Sequence, residues 1–302
     1  MDLSLLLEPA ILTEVLLQGF VRGSMYALMA TGLSLIFGIM GVANFAHGEL
    51  FMLGTYAMVG VSVVLGLPFV LGIAAAAAAL FLFGMLIERG LIEPLRRRAG
   101  RDWLIDVFVL TIGLGVVLQN LALILFGSRR LGITQMVDGS LVMGTIIISY
   151  ERLAILAVAT LTVVLLWAFI RYTSTGKAIR ATSQDPDAAQ TLGIDIGRVY
   201  TVTFGIGAAL AGLAGALLIS IFPAYPTVGM QPVLKAFAVV VLGGLGSVPG
   251  AIVGGLLLGV IEAYAVFFMS AGWQQVLTAL LVIVILAVRP SGLFGAARWE
   301  RP

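Results

Sequence analysis

The chain has 302 residues, of which 61% are hydrophobic and 11% are charged, and its formal net charge is +2 at pH 7. Soluble domains carry about 25% charged residues, so this composition excludes an ordinary soluble protein and indicates a chain that lies mostly in a lipid bilayer. There is no cysteine and only 1 histidine, which excludes disulfides, thiol catalysis and any metal site of ordinary ligand number.

The first apolar segment runs from about residue 11 to residue 40. The N-terminus before it, MDLSLLLEPA, lacks the basic region and small-residue cleavage site of a signal peptide, so we expect this segment to stay in the protein. It is long for one straight crossing, which needs about 20 residues. We therefore expect it to be either strongly tilted or broken near Arg22 and Gly23.

A polar stretch, NFAHGE, separates this segment from the next and contains Asn44, His47 and Glu49. Ionisable groups at membrane depth are costly and usually face a protein interior or a water-filled path. One interpretation places His47 and Glu49 at the cytoplasmic interface, where they cap helix ends. The other places Asn44, His47 and Glu49 at the inner end of a translocation path.

Four more apolar segments follow before the centre of the chain. They are expected at about 50–65, 69–87, 104–126 and 153–170. The second of these contains the alanine run from Ala74 to Ala79, and small residues let helices pack closely in lipid. The loop after it, ERGLIEPLRRRAGRDW, contains five arginines.

The most polar stretch of the chain is residues 176–197, GKAIRATSQDPDAAQTLGIDIG. Asp185 suits an N-cap, Pro186 the first helical position, and Gly193 the left-handed position that ends a helix. This pattern predicts a helix of about two turns over 186–192. The residues predicted on its common face are Ala188, Ala189 and Leu192. Because so short a helix is unstable alone, it is either a capped surface loop on its own membrane domain or a coupling helix that docks on another subunit.

The remaining apolar segments are expected at about 199–221, 233–242, 251–269 and 274–288. Gly246, Gly250 and Gly254 recur every four residues in GGLGSVPGAIVGGLLLG, which favours close helix packing. A phosphate-binding loop is excluded there because no Lys-Ser or Lys-Thr follows the glycines. Lys235 is expected to extend outward along its apolar stem, and contact with a binding protein or a substrate carboxylate is the alternative.

These segments predict an all-α fold, a polytopic membrane bundle of eight or nine spans that forms one domain over 1–302. The loops 88–103 and 171–198 and the C-terminal tail contain 12 of the 17 Lys and Arg residues. By the positive-inside rule these three regions are cytoplasmic. Since the basic residues cluster at span ends, the net charge gives no indication of nucleic-acid binding.

Three segments resemble the inner-membrane permeases of bacterial ABC importers for branched-chain amino acids. They are NFAHGELFMLGTY, RATSQDPDAAQTLGID and LKAFAVVVLGGLGS, and Leu234 departs from the family pattern in the third. The resemblance extends from QGFVRGSMYALMATG to RPSGLFG. It implies that the loop at about 173–198 couples the permease to an ATPase. The positions it assigns to coupling are Arg180, Asp185, Pro186, Ala188, Ala189, Leu192, Gly193 and Ile194.

The resemblance also implies the partners of the chain. They are a second homologous permease subunit, two cytoplasmic ABC ATPase subunits and a periplasmic substrate-binding protein, assembled at the bacterial inner membrane. The chain lacks an ATPase motif of its own, since Gly176-Lys177 is followed by Ala178 and has no upstream glycine at the required spacing. We therefore expect no enzyme activity and no cofactor in this chain.

Two alternatives remain for the function. The first keeps the ABC architecture and changes the cargo from branched-chain amino acids to urea, a short amide or another amino acid. The second is a secondary transporter driven by an ion gradient. Such a transporter would need buried carboxylates in the middle of its spans, and Glu262 is the only clear candidate in the sequence.

Overall fold

The computed structural model describes residues 8–98, 103–133, 136–143 and 146–295, and these residues are predominantly helical. The helices of the first half are α1 (Pro9–Met40), α2 (His47–Val59), α3 (Phe69–Ile87), α4 (Glu93–Arg98), α5 (Trp103–Phe126) and α6 (Tyr150–Tyr172). Those of the second half are α7 (Ser174–Gln184), α8 (Pro186–Thr191), α9 (Ile196–Leu217), α10 (Met230–Gly243), α11 (Val248–Phe268) and α12 (Trp273–Val288). The expected all-α bundle is confirmed.

Three smaller features complete the described chain. A π-helical turn, Gly60–Val64, extends α2, and a second, Glu88–Ile92, joins α3 to α4 without a break. Between α5 and α6 lies an antiparallel hairpin of β1 (Ser140–Met143) and β2 (Ile146–Ser149). The hairpin was not expected from the sequence. It lies in the connection between α5 and α6, at the end of these helices opposite the basic loops 88–103 and 171–198.

Seven of the described helical segments are long and apolar enough to cross a membrane. Two more apolar helices, α10 and α12, have only 14 and 16 residues. At about 1.5 Å per residue, α10 is roughly 21 Å long, which is shorter than a hydrocarbon core of about 30 Å. The eight or nine expected spans thus correspond to seven long helices and two shorter ones.

Helix α1 is the central element of the bundle, and it is continuous through Arg22 and Gly23. Of the two alternatives for this segment, a strong tilt or a break, the break is wrong, and the 32 residues of α1 form one helix of roughly 48 Å. Glycines allow its close contact with the antiparallel α11. A Cβ placed on Gly259 would lie 2.3 Å from the Cα of Gly23, and one on Gly255 would lie 2.6 Å from the Cα of Ala27. There is no room for a side chain between these two backbones.

The chain reverses after α1 and re-enters the bundle before α2 begins. Gly41 ends α1 with a left-handed φ of 71°, and residues 41–46 form a short irregular connection. Helix α2 then begins at His47, whose Nε2 lies 3.1 Å from the carbonyl oxygen of Met29. Met29 precedes the end of α1 by 11 residues, or roughly 16 Å along the helix axis. The start of α2 is therefore inside the bundle, and the interpretation that places His47 at the interface is wrong.

The glycines at 246, 250 and 254 do not share one face. A Cβ on Gly250 would lie 2.1 Å from the carbonyl oxygen of Gly243 in α10, whereas one on Gly254 would lie 3.3 Å from the carbonyl oxygen of Val239. Gly246 instead lies against Gly38 of α1 and has a left-handed φ of 81°. All three glycines face backbone, and Gly250 is the tightest because its distance of 2.1 Å is the shortest.

We predict that Gly250→Leu prevents stable folding, since the new side chain overlaps the backbone of α10 and overpacking costs at least about 1–3 kcal/mol. The measurement is the yield and monodispersity of the protein after extraction in mild detergent. Gly60→Leu is the matched control, because no atom lies within 4 Å of a Cβ at that position. Equal yield and equal thermal stability for the two variants would contradict the packing role.

Candidate functional site

The coupling segment, residues 173–198, consists of two short helices, α7 and α8, and the start of α9. Each of these helices has a side-chain N-cap. The Thr173 hydroxyl accepts from the Gly176 N–H at 2.9 Å, an Asp185 oxygen accepts from the N–H groups of Asp187 and Ala188 at 3.0 Å, and an Asp195 oxygen accepts from the Arg198 N–H at 3.1 Å. The Asp185 cap follows the sequence prediction, whereas α7 was not foreseen. Caps of this kind stabilise short helices by about 1 kcal/mol each.

The end of α8 has the hydrogen bonds of a Schellman motif. The Ile194 N–H donates to the Ala189 carbonyl at 3.1 Å, and the Gly193 N–H donates to the Gln190 carbonyl at 2.9 Å. Gly193 takes the left-handed conformation, with φ of 84°, as its position predicts. Helix α8 is therefore closed at both ends by its own residues.

Arg180 joins the coupling segment to the membrane helix before it. Its guanidinium donates to the carbonyl oxygens of Ile170 and Arg171, the latter at 3.1 Å, in the last turn of α6. These carbonyls lack partners within the helix, and a cation there also opposes the negative end of the helix dipole. The contact that the structure gives Arg180 is thus with α6 of its own chain.

The three residues that were predicted to share one face of α8 point in two different directions. Ala189 is 2% exposed and lies against its own domain, whereas Leu192 is 82% exposed and Ala188 is exposed too. The expected common face is therefore wrong. Leu192 is the C-cap, with φ of −84° and ψ of 7°, so the turn into Gly193 carries its side chain away from that of Ala189.

The basic segment of α4 lies at the same end of the bundle as the coupling segment. The Thr201 hydroxyl in α9 donates to the buried Glu88 carboxylate at 2.5 Å. Arg96 lies 3.5 Å from Glu88 and places its guanidinium 4.5 Å from the centre of the Tyr200 ring. These contacts are consistent with the orientation in which both basic loops are cytoplasmic.

The structure brings Asn44, His47 and Glu49 together at the start of α2, where all three are buried. An Asn44 oxygen accepts from the Ala46 N–H at 3.1 Å and so fixes the turn. A Glu49 oxygen accepts from the Gln119 side-chain amide at 2.7 Å. Among the described residues, the second Glu49 oxygen has no hydrogen-bond partner.

Sequence analysis missed the two residues of α5 that accommodate Glu49. Gln119 donates to its carboxylate, and a Cβ on Gly115 would lie only 3.3 Å from that carboxylate. The signal was present, since Gln119 is a polar residue within an apolar span and Gly115 precedes it by one helical turn. Their partner across the bundle was not predictable from spacing along a single helix.

Lys235 lies at the centre of a buried polar network and does not extend outward. Its ammonium contacts the Glu262 carboxylate and lies 2.7 Å from the Thr278 hydroxyl. Thr278 lies 2.6 Å from Glu262, and the Tyr26 hydroxyl donates to the second Glu262 oxygen at 2.8 Å. The Lys235 side chain is 12% exposed and that of Glu262 is 1% exposed. The expected outward position of Lys235 is wrong, because a buried carboxylate one helix away neutralises its charge.

We predict that Glu262→Gln lowers the thermal stability of the purified chain strongly. It leaves the Lys235 ammonium buried without a counter-charge, and the loss of one partner of a buried ion pair costs about 3–5 kcal/mol. The double variant Lys235→Met with Glu262→Gln should recover most of that loss, because it also removes the unpaired charge. Single and double variants of equal stability would contradict this account of the ion pair.

Comparison with known proteins gives the family of the chain. Residues 15–286 match the family described as the permease component of branched-chain amino acid transport systems. The chain is 35% identical to the high-affinity branched-chain amino acid transport system permease protein LivH of Escherichia coli (strain K12), and the match covers 95% of this chain and 97% of LivH.

Two further relatives match over nearly their full length. The permease BraD of Pseudomonas aeruginosa is 37% identical, with 95% of this chain and 97% of BraD covered. A probable LivH of Methanocaldococcus jannaschii is 27% identical, with 95% and 94% covered. No solved structure matches the chain significantly. The match over residues 15–286 and these long alignments show that the chain belongs to the branched-chain amino acid permease family, a family of multi-pass inner-membrane transport proteins rather than enzymes.

Proposed function

We propose that the chain forms half of the membrane path of an ABC importer for branched-chain amino acids. A second related permease completes the path, two cytoplasmic ATPase subunits drive it, and a periplasmic binding protein delivers the cargo. The similarity to LivH and BraD, which are permeases of branched-chain amino acid transport systems, supports this cargo. The observation that carries the coupling role is the exposed apolar Leu192 on a capped, closed helix at the cytoplasmic end.

The coupling segment has the properties of a rigid docking element. Its helices are capped by Thr173, Asp185 and Asp195, and Arg180 attaches it to α6. A force applied to α8 would therefore reach two long membrane helices, α6 and α9, without first deforming a flexible loop. An exposed leucine in water contributes nothing to the stability of the isolated chain, and burying it on a partner is favourable by about 1.5–3 kcal/mol.

The exposed face of α5 supports a second permease as the neighbour in the membrane. Asp106 and Asn120 lie 14 residues apart on that face, about four helical turns, and both are exposed. Polar residues are costly against lipid and normally face protein or a water-filled cavity. A related permease placed against α5 would therefore enclose these residues and form the second wall of the path.

We also propose that Asn44, His47 and Glu49 belong to the inner part of this path. In the single chain α5 covers Glu49 and contacts it through Gln119, whereas His47 lies against α1 through Met29. Because one buried Glu49 oxygen has no partner in this state, we infer that the Glu49 carboxylate changes its hydrogen-bond partners when α5 moves away from α2. Glu49 and Gln119 would then form a polar contact that opens as the cargo passes.

The ion-coupled alternative needs a correction. Glu49 and Glu88 are buried in membrane helices as well as Glu262, so Glu262 is not the only candidate for an ion site. However, Glu262 has a lysine partner, Glu88 lies near Arg96, and Glu49 accepts from Gln119. Each carboxylate thus has a structural partner, and the family match favours the ABC importer.

We predict that Leu192→Asp weakens the attachment of the ATPase subunits at least about tenfold, because a charge replaces the apolar side chain at the contact. The measurement is the amount of ATPase that copurifies with the tagged chain, together with ATP-driven leucine uptake in proteoliposomes. Leu141→Asp is the control, since Leu141 is an apolar residue 38% exposed on the outer hairpin. Full ATPase recovery with Leu192→Asp would contradict the docking role.

For the inner path, we predict that Glu49→Gln and His47→Ala both give folded complexes whose leucine uptake falls about tenfold or more. Glutamine keeps the size of Glu49, so fold stability should change little, while the charged acceptor of the polar contact is lost. Glu14→Gln, at the outer end of α1, is the matched control. Normal uptake by both variants would end the gate hypothesis and leave a structural role for the two residues.

A further inference from the structure

A cavity of about 390 Å³ lies between α1, α10, α11 and α12, at the end of the bundle away from the coupling segment. Ile221 and Phe222, which follow the outer end of α9, form part of its wall, as does Ala271 between α11 and α12. The positive-inside orientation places this end at the periplasm. Its size lies within the roughly 300–1,000 Å³ of sites for small molecules.

The charges around this cavity do not cancel. Lys235 and Glu262 neutralise each other, and both oxygens of Glu262 already have donors. Arg22 also lines the cavity, and it makes no hydrogen bond or ion pair with any residue of the described ranges. The Arg22 guanidinium therefore has no counter-charge among the described residues, although it lies in a membrane helix. A cation there is costly unless it has an anionic partner or water.

The chemistry of the wall matches a zwitterion with an aliphatic side chain. A guanidinium binds a carboxylate through two parallel hydrogen bonds. Gln274 and Gln231 bring side-chain amides whose oxygens accept from an ammonium group, and the Gln231 oxygen also accepts from the Gln275 amide at 3.5 Å. Met25, Ile221 and Val266 supply an apolar surface. Tyr26 and Lys235 form one side of the cavity, and both are held in place by the buried Glu262 behind them.

We propose that this cavity is the outward-facing entry site of the permease and that Arg22 binds the α-carboxylate of an aliphatic amino acid there. The proposal rests on the proposed importer function and adds to it the place and the residue of first contact. It also gives a role to an arginine that no residue of the described chain neutralises. The same cation would attract an inorganic anion or a lipid phosphate, and the tests separate these ligands from an amino acid.

The first test uses the absence of cysteine in the chain. Ile221 is 43% exposed and lines the cavity, so Ile221→Cys introduces one thiol into it without touching a polar residue. We would label the full complex with an anionic and with a cationic methanethiosulfonate reagent and follow the mass of this chain. We expect the anionic reagent to react faster, and L-leucine, but not chloride or phosphate at the same concentration, to slow the labelling.

The combination of Ile221→Cys with Arg22→Gln should abolish the preference for the anionic reagent. Labelling that is insensitive to reagent charge before Arg22 is changed would overturn the proposal. Protection by phosphate or by anionic lipid vesicles, but not by leucine, would also overturn it, because the site would then bind a phosphate group. Neither result requires the Arg22 variant to fold.

The second test is transport. In proteoliposomes with the loaded binding protein, Arg22→Gln should raise the leucine concentration for half-maximal uptake about 10- to 100-fold, the loss expected for one charged hydrogen-bonded contact. Arg22→Lys keeps the positive charge but loses the two parallel donors of the guanidinium. Its leucine concentration for half-maximal uptake should therefore lie between those of Arg22→Gln and wild type. Arg152→Gln, which removes an outer arginine that pairs with Glu14 at 3.6 Å, should transport normally.

The proposed importer function and the proposed entry site can be disproved separately. If the wild-type complex does not take up leucine, isoleucine or valine, the proposed function falls. If the wild-type complex transports leucine and Arg22→Gln does so with unchanged concentration dependence, only the entry site falls. A folded Arg22→Gln complex is recognised by normal recovery of its ATPase subunits.

Discussion

Contact between helix backbones at glycine is the constraint on which the bundle depends. In lipid the hydrophobic effect does not drive helices together, so association relies on close packing and on hydrogen bonds between helices. Gly259 on α11 meets Gly23 on α1, and Gly250 meets Gly243 at the turn between α10 and α11. The first contact holds α11 against α1, the second holds α10 against α11, and α1 itself contributes Tyr26 and the Met29 carbonyl to the buried polar contacts of the bundle.

The charged residues inside the bundle follow a second rule, which is that most of them have a partner on another helix. Lys235 on α10 pairs with Glu262 on α11, Glu49 on α2 with Gln119 on α5, and Glu88 with Thr201 on α9. Such pairs fix the register of one helix against the next, because sliding by one turn would bury an unpaired polar group. Arg22 departs from this rule within the described chain, and this exception is the basis of the proposed entry site.

Most of the fold could be predicted because the relevant information is local. Hydropathy located the spans to within a few residues, and the cap at Asp185 and the left-handed Gly193 followed from rules that involve neighbours in sequence. Errors arose where the answer lies on a distant helix. Lys235 was expected to extend outward because nothing near it in sequence indicates Glu262. The spacing of Gly246, Gly250 and Gly254 likewise does not reveal that the first packs on α1 and the other two on α10.

The candidate sites were predictable to a smaller extent for the same reason. The coupling segment is continuous in sequence, so its residues could be named, although the outward turn of Leu192 depends on one C-cap dihedral. The outer cavity combines residues from α1, α10, α11 and α12. No motif marks such a site, since its members are separated by up to 252 residues of chain, from Arg22 to Gln274, and become neighbours only through helix packing.

The internal start of α2 has a consequence for how the protein is made. The segment His47–Val64 has a mean hydropathy of 1.2, the lowest of the seven long apolar segments, because it begins with a histidine and a glutamate. Its histidine finds Met29 in a helix already synthesised, but Glu49 finds Gln119 only 70 residues further along the chain. Helix α2 therefore enters the bilayer before its carboxylate has a partner. The final depth of α2 is therefore fixed only after α5 has supplied Gln119 and α9 has placed Gly212 against Gly54.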